Sequence, residues 1–182
     1  MPAHTLCTCS ACETKGLRDH WSMSLMEFAV ALIFLILLLC LAPAKVEANE
    51  MVRIAQSQIG KGEIYGDNKG PEVKKYTKGQ EVAWCAAFVS WVRFRSGQSD
   101  NYFLAARSYW KNYGHKRVGV PRPGDLIVFS RGSKGGHIGI VEKVQGGTIT
   151  TIEGNSGKFP AKVRRFTYKL GSIKNLLGFI RV

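Results

Sequence analysis

The feature that most constrains the fold is a change of pattern at Pro121-Arg122-Pro123-Gly124. Five short runs of β-formers follow it: Leu126 to Ser130, His137 to Val144, Thr148 to Ile152, Val163 to Tyr168 and Gly178 to Val182. Gly146-Gly147 lies between the second and third as a hairpin turn. Connections this short join antiparallel strands, because parallel neighbours need a crossover of a dozen residues or more. Before the change the periodicity is helical. Asn49 caps a helix carrying Val52, Ala55 and Ile59 and stopped by Gly60. Cys85 opens a second, ending at Gly97, and Asp100 caps a third through Leu104, Ala105 and Trp110, stopped by Gly114. Residues 61–80, broken by Gly70-Pro71, read as a long loop with one helical turn about Val73 to Tyr76. Helices first and strands after predict an α+β fold, with N-terminal helices packed on a C-terminal antiparallel β-sheet.

The chain has 182 residues, which leaves one domain, residues 49–182, once the first 48 are set apart. Phe28 to Ala44 is uncharged and rich in Leu, Ile and Val, and Val46-Glu47-Ala48 suits cleavage by a signal peptidase ahead of Asn49. Residues 1–48 are therefore expected to be an export signal with its leader, with a retained membrane anchor through residues 28–44 as the alternative. The expected location is periplasmic or secreted. Cys7, Cys9 and Cys12, with His4 and His20 nearby, lack a second ligand pair of the usual spacing, so leader sequence is the expectation there rather than a metal site.

Four of the five cysteines precede residue 49, so Cys85 stands alone in the domain without a disulfide partner. From Ala86 to Val92 the residues around it are apolar on nearly every face, as in a buried helix. At a helix N-terminus the unpaired N–H groups and the dipole favour a thiolate. A nucleophilic thiolate needs an imidazole to exchange its proton and a polar group to orient that imidazole. His137 opens a β-run in which His137, Gly139 and Val141 share one face. Pairing that run across Gly146-Gly147 with Thr148 to Ile152 brings Glu153 or Asn155 close to His137. His115, between Gly114 and Lys116, reads as a loop residue.

The ordered set Trp84-Cys85-Ala86-Ala87-Phe88-Val89, Pro123-Gly124-Asp125-Leu126-Ile127-Val128-Phe129, Gly136-His137-Ile138-Gly139-Ile140-Val141 and Glu153-Gly154-Asn155 resembles the CHAP family. These are cysteine- and histidine-dependent amidohydrolases and peptidases, relatives of the NlpC/P60 enzymes. The resemblance spans roughly Val52 to Val182 and implies a papain-like fold. By it Cys85 is the nucleophile, His137 the general base, and Glu153 or Asn155 the third member. Asp125 helps to shape the sheet beside the site, and bonding backbone N–H groups in its Pro-Gly-Asp turn is role enough for it. Some members carry an acidic calcium loop before the cysteine. Asp67-Asn68-Lys69-Gly70 has too few carboxylates for one, so no calcium or other cofactor is expected.

Residues 49–182 hold 23 basic against 9 acidic side chains. Such an excess draws the domain to polyanions. With an export segment in front, the expected partner is peptidoglycan or another anionic wall polymer rather than nucleic acid, and Tyr102, Tyr109 and Trp110 fit a helix core. The reading is a peptidoglycan hydrolase, acting as a monomer and cutting an amide bond as an amidase or endopeptidase. The alternative is a non-catalytic basic wall-binding module on the same fold. Delivery as a toxin or a phage lysis factor is a third setting for the enzyme.

Overall fold

The computed structural model describes residues 26, 28–30, 32–35, 50–98 and 101–182. Two compact units divide the chain, Met1–Cys40 and Leu41–Val182. In the first, the described residues are helical and exposed. Among the described residues no helix is long and apolar enough to cross a membrane. The leader cysteines and histidines, the expected cleavage site and the caps Asn49 and Asp100 lie outside the described residues.

The second unit begins with helix α1, residues 50–56, and α2, Pro71–Thr77, which is the expected turn about Val73 lengthened at both ends. Pro71 at the first helical position needs no N–H partner there, and Lys78 in the left-handed conformation ends the helix. Helices α3, Cys85–Arg95, and α4, Ala106–Asn112, follow. Six strands then form one sheet: β1, Arg117–Val118; β2, Leu126–Arg131; β3, Gly135–Gln145; β4, Thr148–Ser156; β5, Lys162–Lys169; and β6, Leu176–Ile180. Their order is β1-β6-β2-β3-β4-β5, and every neighbouring pair is antiparallel. The architecture is α+β and papain-like. Gly146 and Gly147, both with positive φ (56° and 73°), make the turn between β3 and β4.

The third helix starts later than its periodicity predicts. Leu104 and Ala105 form a bend ahead of α4, because the backbone at Phe103 is engaged elsewhere. Ser90 Oγ donates to the Phe103 carbonyl at 2.8 Å and accepts the Phe103 N–H at 2.9 Å, so this residue is tied to α3 rather than to a helical turn. The last strand is shifted toward the N-terminus from its expected span and ends at Ile180. The two-residue β1 was not legible at all.

The sheet separates two apolar clusters. Ile138, Ile140 and Ile152 share the larger one with α3, while Ile127, Phe129, Val141, Ile149 and Phe179 form the smaller. Cys85, Ala86, Ala87, Phe88, Val89, Ser90, Val92 and Arg93 of α3 are all buried. Burying side chains the size of Phe88, Val89 and Val92 contributes about 2 kcal/mol each. The helix lies so close to β4 that a Cβ on Gly154 would stand 2.7 Å from Cβ of Phe88. That contact leaves the neighbouring Glu153 on the opposite face, in step with His137.

Candidate active site

Helix α3 begins at Cys85 without any side-chain cap, so its first-turn N–H groups are not taken by side chains. Trp84 precedes it in a non-helical conformation and is fully buried. The Trp84 indole Nε1–H donates to Oε1 of Glu63 at 3.2 Å. The Glu63 carboxylate also accepts the N–H of Asn68 at 3.0 Å and the N–H of Ala161 at 2.7 Å. One buried carboxylate thus ties three segments together directly beside the cysteine. A lone acid in the Gly-rich loop carries no sequence signal for this, since its partners are backbone groups, one of them far along the chain, and an indole.

His137 sits opposite Phe129 in the β2–β3 pairing, and its side chain is buried. Its Nε2 hydrogen-bonds Oε2 of Glu153 at 2.9 Å. The other carboxylate oxygen accepts from Thr151 Oγ1 at 2.6 Å and from the Tyr168 hydroxyl at 2.9 Å. Glu153 reaches the ring by crossing β3 at Gly139, where a Cβ would lie 2.5 Å from Glu153 Cγ. Glycine is required there by close approach.

Of the two candidates for the third position, Glu153 makes the bond to His137, and Asn155 makes no side-chain hydrogen bond among the described residues. The β4–β5 register shifts between Glu153 and Ser156, and Asn155 has φ 53°. A bulge of this kind breaks the alternation that would otherwise aim Asn155 at His137.

With Nε2 engaged by Glu153, Nδ1 is the ring nitrogen left for Cys85. It is buried, and the Cys85 thiol acts on the ring through a contact looser than the bond on Nε2. Burial alone pushes the His137 pKa down. Cys85 and then Glu153, through hydrogen bonding and charge, outweigh that and raise it from 6.5 to about 9. The imidazolium is the form of His137 that this environment favours at neutral pH. Tyr168 is pushed well above the usual tyrosine range by burial and by Glu153, so its hydroxyl stays a donor to the carboxylate.

Asp125 accepts the N–H of Arg122 at 2.8 Å, the bond expected of its Pro-Gly-Asp turn. It also forms a two-pronged pair with Arg181, at 3.0 and 2.9 Å, which the sequence did not reveal. His115 is exposed in a short 3-10 turn, Gly114–Lys116, and its ring neighbour is Tyr113. Among the described residues no three His, Cys, Asp or Glu side chains are grouped to hold a metal.

A papain-like α+β domain with a cysteine at a helix N-terminus and a strand histidine paired to a carboxylate is the class that fold and site define. Residues 76–155, the stretch holding Cys85, His137, Glu153 and Asn155, match the family model of the CHAP domain. Two solved structures are similar in fold. The crystal structure of Ly7917 with the hydrolyzing product of MDP is 20% identical with a TM-score of 0.51, covering 74% of this chain and 62% of that one. A second crystal structure of Ly7917 is 20% identical with a TM-score of 0.50, covering 73% and 61%. The chain therefore spans about three fifths of the length of these relatives. No curated protein matches it.

Proposed function

We propose that this protein is a peptidoglycan hydrolase that cleaves an amide bond, as an amidase or endopeptidase, through Cys85, His137 and Glu153. The observation that carries the reading is the hydrogen bond from His137 to a Glu153 carboxylate that is itself held by Thr151 and Tyr168. This orients the ring and stabilises its protonated form beside a helix-terminal cysteine. The CHAP domain match and the Ly7917 structure, obtained with a hydrolysis product, support the same chemistry.

In this mechanism the Cys85 proton moves to Nδ1 of His137 and the thiolate attacks the amide carbonyl. The oxyanion is held by backbone N–H at the start of α3 and one further donor, a type of contact worth about 3 kcal/mol each. His137 gives its proton to the leaving amine. Water, deprotonated by His137, then attacks the thioester and releases the acid with the thiol restored. Asn155 lies beside this machinery without touching the ring. The basic surface holds the enzyme on anionic wall polymer, and the apolar run from Phe28 to Ala44 takes it there, as a cleaved signal or an anchor.

The test is digestion of purified peptidoglycan by the full chain, wild type against Cys85→Ala, with fragments identified by mass. Fragments released only with the intact cysteine support the reading, and their masses name the bond. Added salt is expected to weaken wall binding more than turnover of a small soluble fragment. Wall binding without any release by either protein would instead favour a binding module. Cys85 is only 7% exposed, which suits that second reading, and alkylation at neutral pH separates the two. Labelling that is rapid in wild type and lost in His137→Ala belongs to an enzyme.

A further inference from the structure

On the side of His137 that carries Glu153 lies a cavity of about 340 Å³. Its lining includes Phe129, Phe166, Tyr168, Arg131 and Lys174, with His137 and Glu153 between. The aromatic part is ordered by its own contacts, Phe129 against Tyr168 at 5.6 Å between centroids and Phe166 stacked on Tyr168 at 6.3 Å. Three arginines around the sheet are engaged: Arg165 pairs with Glu142, Arg181 with Asp125, and Arg107 bonds the carbonyls of Gly135 and Gly132. Arg131 and Lys174, which line the cavity, are not engaged in this way. Both are exposed at the cavity, and neither has an ion-pair partner or a side-chain hydrogen bond among the described residues.

Glu153 is the one carboxylate in the lining, and its oxygens are already taken by His137, Thr151 and Tyr168. With the imidazolium balancing it, the cavity keeps the two unpaired cations. A volume at the lower end for small-ligand pockets suits a residue or two of a peptide, not a polymer strand. Arginine favours planar oxyanions, which it binds with two parallel bonds.

We infer that this cavity binds a free carboxylate of the substrate, held by Arg131 and Lys174 against Phe166 and Tyr168, and so selects acid over amide forms of the peptide. The inference rests on the hydrolase reading, and it makes Arg131 and Lys174 specificity residues one step removed from the reacting thiol.

The experiment uses two soluble wall fragments that are identical except for one carboxylate, free or amidated. Binding to the full chain carrying Cys85→Ala is measured by calorimetry, alone and with Arg131→Gln, Lys174→Gln or Lys111→Gln added. The acid fragment is expected to bind about tenfold tighter than the amide. Arg131→Gln and Lys174→Gln each remove most of that preference, whereas Lys111→Gln, an exposed lysine of α4, leaves it. With Cys85 intact, Arg131→Gln raises KM for the acid fragment and holds kcat within about twofold. Equal binding of acid and amide, no binding of either, or a preference that survives both variants overturns the assignment. Selective binding of the acid fragment without its cleavage by wild type removes the hydrolase reading and keeps the cavity assignment.

Discussion

Glu153→Gln keeps the size of the side chain and removes its charge. The carboxylate now accepts three hydrogen bonds, from His137 on Oε2 and from Thr151 and Tyr168 on Oε1. A carboxamide has a single oxygen. If that oxygen stays with the two hydroxyls, the amide N–H₂ faces Nε2, which must then be the unprotonated nitrogen. Nδ1 keeps the ring proton and cannot take the one from Cys85. If the oxygen turns to His137, two buried hydroxyls face a donor instead. The rise of the His137 pKa from 6.5 to about 9 amounts to about 3 kcal/mol in favour of the imidazolium, after burial has been overcome. The hydrogen bond from Glu153 ranks after that from Cys85 among the causes of the rise, and losing a hydrogen bond to a charged group generally costs about 1.5–3 kcal/mol, roughly 10- to 150-fold in the population of the protonated ring. With the tautomer reversed as well, turnover should fall about 10³-fold. Two assays read this: fragment release from peptidoglycan across about pH 5 to 10, and the rate of Cys85 alkylation at neutral pH. The alkaline limb, set in wild type by loss of the His137 proton near pH 9, should move toward neutrality in the variant. A variant that keeps a third of wild-type turnover with an unmoved limb would refute the orienting role of Glu153.

Three further outcomes are expected. Gly139→Ala puts a methyl 2.5 Å from Glu153 Cγ and 3.1 Å from the Ile152 carbonyl; it should cost about 1–3 kcal/mol in urea unfolding and slow Cys85 alkylation, and a neutral result would show that Glu153 can leave its place freely. Glu63→Ala frees the Trp84 indole and two backbone N–H groups, so denaturation should show a loss of about 2–4 kcal/mol. A loss below about 0.5 kcal/mol would mean that water replaces the carboxylate without penalty. Because folding raises the His137 pKa from 6.5 to about 9, its stabilising contribution is complete below 6.5 and is lost as pH rises through 9. The urea midpoint should fall over that interval in wild type and change less in His137→Gln; equal slopes would contradict the coupling.

The strands from Leu126 onward were legible because each is a short run of β-formers and because Gly146-Gly147 marks the turn between two of them. His137 and the pair Glu153 and Asn155 were legible as candidates because strand register brings them near one another, and Cys85 because it stands alone at a helix N-terminus. The preference of the ring for Glu153 was not. It depends on a bulge between Glu153 and Ser156 and on the missing Cβ of Gly139, and neither changes the hydrophobic pattern. Glu63 and Tyr168 were hidden because their side-chain partners, and the Ala161 N–H, lie 15 to 98 residues away. The late start of α4 follows from one serine hydroxyl on another helix, a tertiary contact that overrides the capping signal at Asp100.

Cys85 belongs to the core shared by α3 and the sheet, whereas His137 stands in step with Phe129 and Val141 of the core on the other face. In the proposed mechanism the two halves of the proton exchange are therefore mounted on separate bodies of packed side chains. Alignment, rather than the survival of either core, is what the chemistry depends on. The ring is held by Glu153 of the sheet and not by α3, so a small slide of α3 that leaves both cores packed is expected to part the thiol from the ring. Turnover is in this sense a gauge of how the helix is seated, more sensitive than any melting curve.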